Sequence, residues 1–287
     1  MKDLNLKAKY RLLVLMDLSQ ASYTALRNGV NLAKAINGSI EVFHVKPPSD
    51  VAEYENQLAA MRAIDEENYA TNKRLQDLIN LVSDQENIPI IYDFTIGNVK
   101  NEIKDHIEKT NPDIVVLGKR KRKLINFLGD SVMQSLLNNH SGVILIAGED
   151  KKFRSNSEIS IGFYGDILDN SNTEITKDLT KQTKANARFF SVRRKSAANM
   201  VRVAITNIKS VHDFQNTIEY EFEEGTNAIA GLANYISKNN VELLCIGRGR
   251  KQKGWTDRFI GGAPEIYKVI QKLNVPLLFM GDREYLT

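Results

Sequence analysis

The residues best suited to chemistry in this chain are two glycine-bordered basic loops. The first, Gly118–Lys123 (GKRKRK), follows the apolar run Ile114–Leu117 and leads to Gly129. Asp130 and Ser131 then start a helical pattern, and a second apolar run, Val143–Ile146, closes the stretch. The order reads as strand, loop, helix, strand. A glycine-bordered loop that meets a helix start aims backbone N–H groups and the positive end of the helix dipole at one spot, which suits an anion, most often a phosphate. Arg120 would supply bidentate contacts there, and Lys119 and Lys121 point charge.

The second loop, Gly247–Lys253 (GRGRKQK), stands at the same place in a second copy of the stretch. Glu242–Gly247 matches Asp113–Gly118, Gly261 and Gly262 stand where Gly129 stands, and Pro276–Gly281 matches Val143–Gly148. A repeat this long marks a tandem duplication. Two further readings of the loops stay open: solvated basic segments, and nucleic-acid contacts with Trp255 stacking on a base.

The elements that must position these loops alternate. Tyr10–Met16 is a strand ending at Asp17, and Ser19 can cap the helix whose apolar face is Leu26, Val30, Ala33 and Ile36. Asn37-Gly38 stops that helix, and Ile40–Val45 is the second strand. Val51–Val82 reads as one long amphipathic helix, or two that meet near Asp65–Asn68. Ile88–Phe94 is the third strand, and Val99, Ile103 and Ile107 face a third helix. Alternation of this kind predicts a doubly wound parallel sheet. The second copy repeats it. A strand Ile159–Tyr164 leads to Asp166, a helix spans Thr173–Thr183, strands follow at Ala187–Val192 and Ile218–Phe222, and Ala228, Leu232 and Ile236 face a helix.

Length and composition agree. The 287 residues, 42% hydrophobic and 26% charged, fit two globular domains. The expected boundaries are 1–148, a polar linker 149–157, and 158–287. A net charge of +4 is too small to argue for nucleic acid. The single cysteine, Cys245, lies in an apolar run and reads as a buried hydrophobe in a reducing compartment. The N-terminus has no apolar signal-peptide core, and no apolar run approaches the roughly 20 residues of a membrane helix, so a cytoplasmic protein is expected.

Catalysis finds little support. His44, His106, His140 and His212 fall in different elements, with no Ser or Cys partner in a motif and no metal-ligand spacing. No Gly-x-x-x-x-Gly-Lys-Ser/Thr loop is present, and no Gly-x-Gly-x-x-Gly follows either first strand. The expectation is a non-enzyme, at most a slow ATPase.

Taken together, Asp17-Leu18-Ser19, Phe43-His44-Val45, Gly97, the Asp113–Gly118 run and Gly129–Ser131 resemble the universal stress protein family over about residues 9–148, and again over about 157–281. The resemblance implies two doubly wound, mostly parallel five-stranded sheets in tandem, packed as a pseudo-dimer through Val143–Ile146 and Leu277–Met280. It also implies a stress-response role, and leaves a homodimer of the whole chain open. Family members that bind ATP carry Gly, two residues, Gly, nine residues, Gly, then Ser or Thr. In the first copy the resemblance assigns Asp17 to the ribose side, Ile40 to the adenine side and Gly118 to the first glycine. Lys121 replaces the second glycine, Gly129 comes early, and Asp130 intervenes before Ser131. In the second copy Asp166, Ala187 and Gly247 match, Arg250 replaces the second glycine, and Gly261 or Gly262 stands for the third. Ala263 and Pro264 replace the hydroxyl. The expected ligand is ATP or another adenine nucleotide, with Mg²⁺. The alternative is a scaffold with degenerate loops that acts through a protein partner.

Overall fold

The structure, a computed structural model, describes residues 8–48, 57–119, 127–148, 159–164, 173–193, 214–223, 228–247, 270 and 272–281. In the first half β1 (Tyr10–Met16), α1 (Gln20–Ile36), β2 (Gly38–Lys46), α2 (Gln57–Glu86), β3 (Ile90–Ile96), α3 (Val99–Thr110), β4 (Ile114–Gly118), α4 (Phe127–Asn139) and β5 (Val143–Ala147) follow in order. The second half carries β6 (Ser160–Tyr164), α5 (Thr173–Thr183), β7 (Asn186–Arg193), β8 (Asn216–Glu223), α6 (Ala228–Lys238), β9 (Leu243–Gly247) and β10 (Leu277–Met280).

The strands form one ten-stranded sheet in the order β3-β2-β1-β4-β5-β10-β9-β6-β7-β8. Within each half neighbouring strands run parallel. The halves meet where β5 and β10 pair antiparallel, with Leu277 opposite Ile146, Leu278 opposite Leu145 and Phe279 opposite Ile144. The two five-stranded sheets expected from sequence are therefore the halves of a single one.

Local sequence accounts for most elements. Ser19 caps α1, its side chain accepting from the Ser22 N–H, and such caps stabilise by about 1 kcal/mol. The apolar face Leu26, Val30, Ala33 and Ile36 is buried. At the other end Asn37, at φ 57°, takes the left-handed position, so Gly38 is already the first residue of β2 rather than the helix stop. Asn and Gly both tolerate that conformation, and here Asn supplies it. α2 is one unbroken helix through Asp65–Asn68. β3 starts two residues later than the apolar pattern suggests. Ile88 instead packs against the core ahead of the strand, accepting the Ser83 hydroxyl hydrogen at its carbonyl. α4 begins at Phe127, so Gly129 sits inside its first turn rather than in the loop before it.

The central strands are buried on both faces, which is why they read as continuous apolar runs, whereas the edge strands β3 and β8 are largely half-buried or exposed. One apolar layer, under α1, α2 and α5, joins Val14 and Val116 of the first half to Ile161 and Phe189 of the second. The opposite layer, under α3, α4 and α6, joins Leu13 and Val115 to Leu244 and Phe279. Both run across the joint. At the joint the two halves also reciprocate: a Cβ on Gly281 would strike the Ser141 carbonyl, and one on Gly148 would sit 3.1 Å from the Asn274 carbonyl oxygen. Cys245 is fully buried, and burial pushes its thiol pKa up, as expected of a small hydrophobe.

Outside the sheet, α1 packs on α5. Lys9 and Tyr10 both hydrogen-bond the Asp178 carboxylate there, at 2.7 and 2.8 Å. No described helix is long and apolar enough to cross a membrane.

Candidate functional site

The C-terminal ends of β1, β2 and β4 converge on one spot, the edge at which open α/β sheets take their ligands. The turn out of β1 is tightly bonded. Asp17 Oδ1 accepts from the Ser19 N–H at 3.1 Å and the Ser19 hydroxyl at 2.5 Å. The Ser22 hydroxyl in turn donates to the Ser19 carbonyl at 3.0 Å. Between them Leu18 is held at φ 60°. A left-handed leucine costs roughly 1–2 kcal/mol, so the surrounding bonds over-determine it, as happens at functional turns. The Asp17 carboxylate lies at the start of α1, where the helix dipole favours negative charge.

Gly118 ends β4 against this turn. A Cβ there would run into the carbonyl of Ala21, so only glycine lets β4 approach the first turn of α1 this closely. Its neighbour Lys119 is drawn sideways. The Lys119 N–H donates to Ala147 at 3.3 Å, and its ammonium donates to the Leu273 carbonyl of the second half at 3.3 Å.

These ends enclose a cavity of about 230 Å³. Its apolar walls include Leu15, Phe43, Val99, Ile103, Val132 and Met133, and its polar edge is Asp17, Ser19, Ser22 and His44, with Gly118 at the floor of the loop. This is a little below the ~300 Å³ of typical small-molecule pockets.

His44 is fixed from two sides. Its Nδ1 donates to the Met16 carbonyl at 2.7 Å, and its ring stacks on Phe94 with centroids 5.6 Å apart. Burial lowers its pKa, Lys46 lowers it further, and the Met16 carbonyl opposes both without overcoming them. On the same strand Lys46 is buried, with its ammonium 2.8 Å from Asn68 and 3.1 Å from Glu67 of α2.

Of the residues expected from sequence, Asp17 and Gly118 come together in the cavity wall. Gly129 and Ser131 lie within α4, whose next residues, Val132 and Met133, reach the cavity. Ile40 does not line it. Ile40 pairs with Leu12 deep in the core, whereas the end of β2 at the cavity is the His44–Met16 level. The β2 residues that line the cavity are Phe43, His44 and Val45. In the second half Ala187 is likewise buried in β7, opposite Ile161, and Gly247 is buried opposite Met280. Arg120, Lys121, Asp166, Arg250, Gly261 and Gly262 lie outside the described residues.

Sequence reasoning gave His44 and Leu18 no role at the site, and it set Lys119 toward a phosphate where the structure has it bonded to Leu273. For His44 a signal existed, because strand alternation from Val42 places it at the strand end. Nothing in the sequence marks Leu18 as left-handed.

A family model settles the relationship: residues 10–146 match that of the universal stress protein family. The first half is a universal stress protein domain. A universal stress protein from Archaeoglobus fulgidus aligns over 94% of this chain and 98% of its own, at 17% identity and a TM-score of 0.66. A functionally unknown protein from Pseudomonas aeruginosa PAO1 aligns over 94% and 92%, at 13% identity and a TM-score of 0.53. At such identities the likeness is one of fold, and it extends over both halves. No curated protein sequence matches the chain. In this universal stress protein domain Asp17 and Gly118 line the cavity, and Val132 and Met133 of α4 reach it.

Proposed function

We propose that the first half is a binding module for an adenine nucleotide or a related phosphate ligand, and that it serves a stress response by changing its partners rather than by turnover. One observation carries this reading: the cavity at the ends of β1, β2 and β4 combines apolar walls for a base with the Asp17 carboxylate and Ser19 at its polar edge. Gly118 in its wall is followed in the sequence by Lys119–Lys123, whose charge would attract the phosphates. The Mg²⁺ would arrive with the phosphates of such a ligand.

The test is extraction of small molecules from the denatured protein, with mass spectrometry, beside a melting scan with ATP, ADP and AMP. A ligand at 100 times its dissociation constant adds about 2.7 kcal/mol of stability. A bound nucleotide or a shift of several degrees is expected. A clean extract with a flat scan overturns the reading.

A second reading rests on a different observation. Packing against Ala21 already explains Gly118, and Lys119 is engaged with Leu273. On that reading the loop is structural and the chain is a scaffold for a protein partner. The clean extract and flat scan would favour it.

A further inference from the structure

β3 closes one end of the ten-stranded sheet, and β2 is its only strand neighbour among the described residues. Its backbone shows which polar groups are left over. The Gly97 N–H donates across to the Lys46 carbonyl at 3.0 Å. By the two-residue alternation of a strand, Thr95, Asp93 and Ile91 then face β2, while Ile96, Phe94, Tyr92 and Ile90 turn their N–H and C=O groups outward. The Phe94 N–H agrees, because it donates to Asp93 Oδ1 at 2.8 Å and not to a strand. The other Asp93 oxygen lies 3.8 Å from Nδ1 of His106 on α3, whose Nε2 meets Glu41 at 2.8 Å. With Ile91 54% and Ile96 43% exposed, this edge would otherwise be an open template for another strand.

The sequence of β3 says which strand fits. Ile-Ile-Tyr-Asp-Phe-Thr-Ile is close to a palindrome about Asp93. Laid antiparallel against itself with Asp93 at the centre, it sets Tyr92 opposite Phe94 and Ile90 opposite Ile96, all with outward backbone groups, and Ile91 opposite Thr95. Aromatic and β-branched cross-strand pairs of this kind stabilise sheets. The one discordant pair is Asp93 with its own copy, two carboxylates at a site where Cα atoms stand only about 4.5 Å apart. The Phe94 N–H that would donate to the Tyr92 carbonyl of the copy is also the one that Asp93 occupies. We propose that the outer edge of β3 is a self-complementary seam for a second copy of this chain, and that Asp93 holds it shut by its charge and by its bond to Phe94. This seam is separate from β5, whose edge is already filled by β10.

The experiment is sedimentation of the full chain, wild type beside Asp93→Val and Asp93→Asn, with a disulfide test on Asp93→Cys and Ile91→Cys. At equal concentration the wild type is expected to sediment as a single chain and Asp93→Val as a dimer, with a dissociation constant lower by about tenfold or more. Asp93→Asn keeps an acceptor for the Phe94 N–H without the charge, and is expected to fall between them. On mild oxidation Asp93→Cys should link into a covalent dimer, because two thiols at the centre of the seam are within disulfide reach. Ile91→Cys should not, because position 91 of the copy lies roughly 14 Å away along the seam. Cys245 is fully buried and does not compete. Asp93→Val that stays single, a wild type as dimeric as Asp93→Val, or Ile91→Cys linking as readily as Asp93→Cys would overturn the proposal. So would species that keep growing beyond the dimer, since β3 would then be meeting β8 and not itself. Should Asp93→Val fail to fold, the two cysteine variants decide.

Discussion

The hydroxyl of Tyr10, on the first strand of one half, donates to the carboxylate of Asp178, on α5 of the other, at 2.8 Å. Lys9 reaches the same oxygen at 2.7 Å. Burial raises the Tyr10 pKa, and the Asp178 carboxylate raises it further, so the hydroxyl stays a donor throughout the physiological range. Removing the acceptor strands a buried hydroxyl, whereas removing the hydroxyl leaves Asp178 its bond to Lys9. Asp178→Ala is therefore expected to cost about 1–3 kcal/mol and Tyr10→Phe about 0.5–1.5 kcal/mol. Urea midpoints of the two variants and the double variant measure the coupling. Additive losses would show that the contact does not tie the halves together.

Gly118 and Gly29 make a matched pair. Gly118 lies against α1 and Gly29 within it; a Cβ on Gly118 would meet the Ala21 backbone carbonyl, while one on Gly29 would meet a Val14 methyl at 3.2 Å. Gly118→Ala should destabilise by roughly 1–3 kcal/mol and distort the cavity. Gly29→Ala gains helix propensity of about 1 kcal/mol against a contact that a side chain can relieve, and should change stability by less than that. Equal losses in the two variants, read by thermal melting, would contradict the geometry.

Acid should act in two stages. His44 has its pKa lowered from 6.5 by burial, so the unfolded chain binds more protons once the pH falls below that value. Its contribution is whole above about pH 6.5 and is lost as the pH drops toward the lowered value. Asp178 is the carboxyl counterpart. Burial works against its ionisation, but the bonds from Lys9 and Tyr10 outweigh it and hold its pKa below 3.8. Its contribution is whole above that value and is lost in stronger acid. Chemical denaturation across pH is expected to show the upper stage in wild type and its disappearance in His44→Phe.

At the joint the reciprocity of Gly148 and Gly281 is unequal. The Gly281 position has no room for a Cβ against Ser141, and Gly148 has a 3.1 Å approach to Asn274. Gly281→Ala should therefore lower the melting temperature more than Gly148→Ala. The reverse order would mean that the backbone near Ser141 yields more easily than that near Asn274.

The fold was legible because its causes are local and repeated. Strand runs such as Leu12–Met16 and Val143–Ile146 are apolar throughout, as sheets buried on both faces require. The likeness between the two stretches then made the weaker one readable from the stronger. The site was legible only in part. Asp17 and Gly118 stand at strand ends and could be placed by counting, but Ile40, set near the start of β2, lies away from the cavity, because an apolar strand carries no mark of which end meets it. Leu18 depends on a turn that Asp17 and Ser19 impose together, and the reach of Lys119 to Leu273 depends on a partner 154 residues away. Neither can be derived from local pattern.

The antiparallel pairing of β5 with β10 also makes the association of the two halves a property of one molecule. A pair of separate subunits comes apart on dilution, whereas halves on one chain hold a fixed effective concentration of each other. The second half can thus act as a permanent lining for the edge of β5 at any protein level. What that task asks of it is the apolar face of β10 and the tight approach at Gly281.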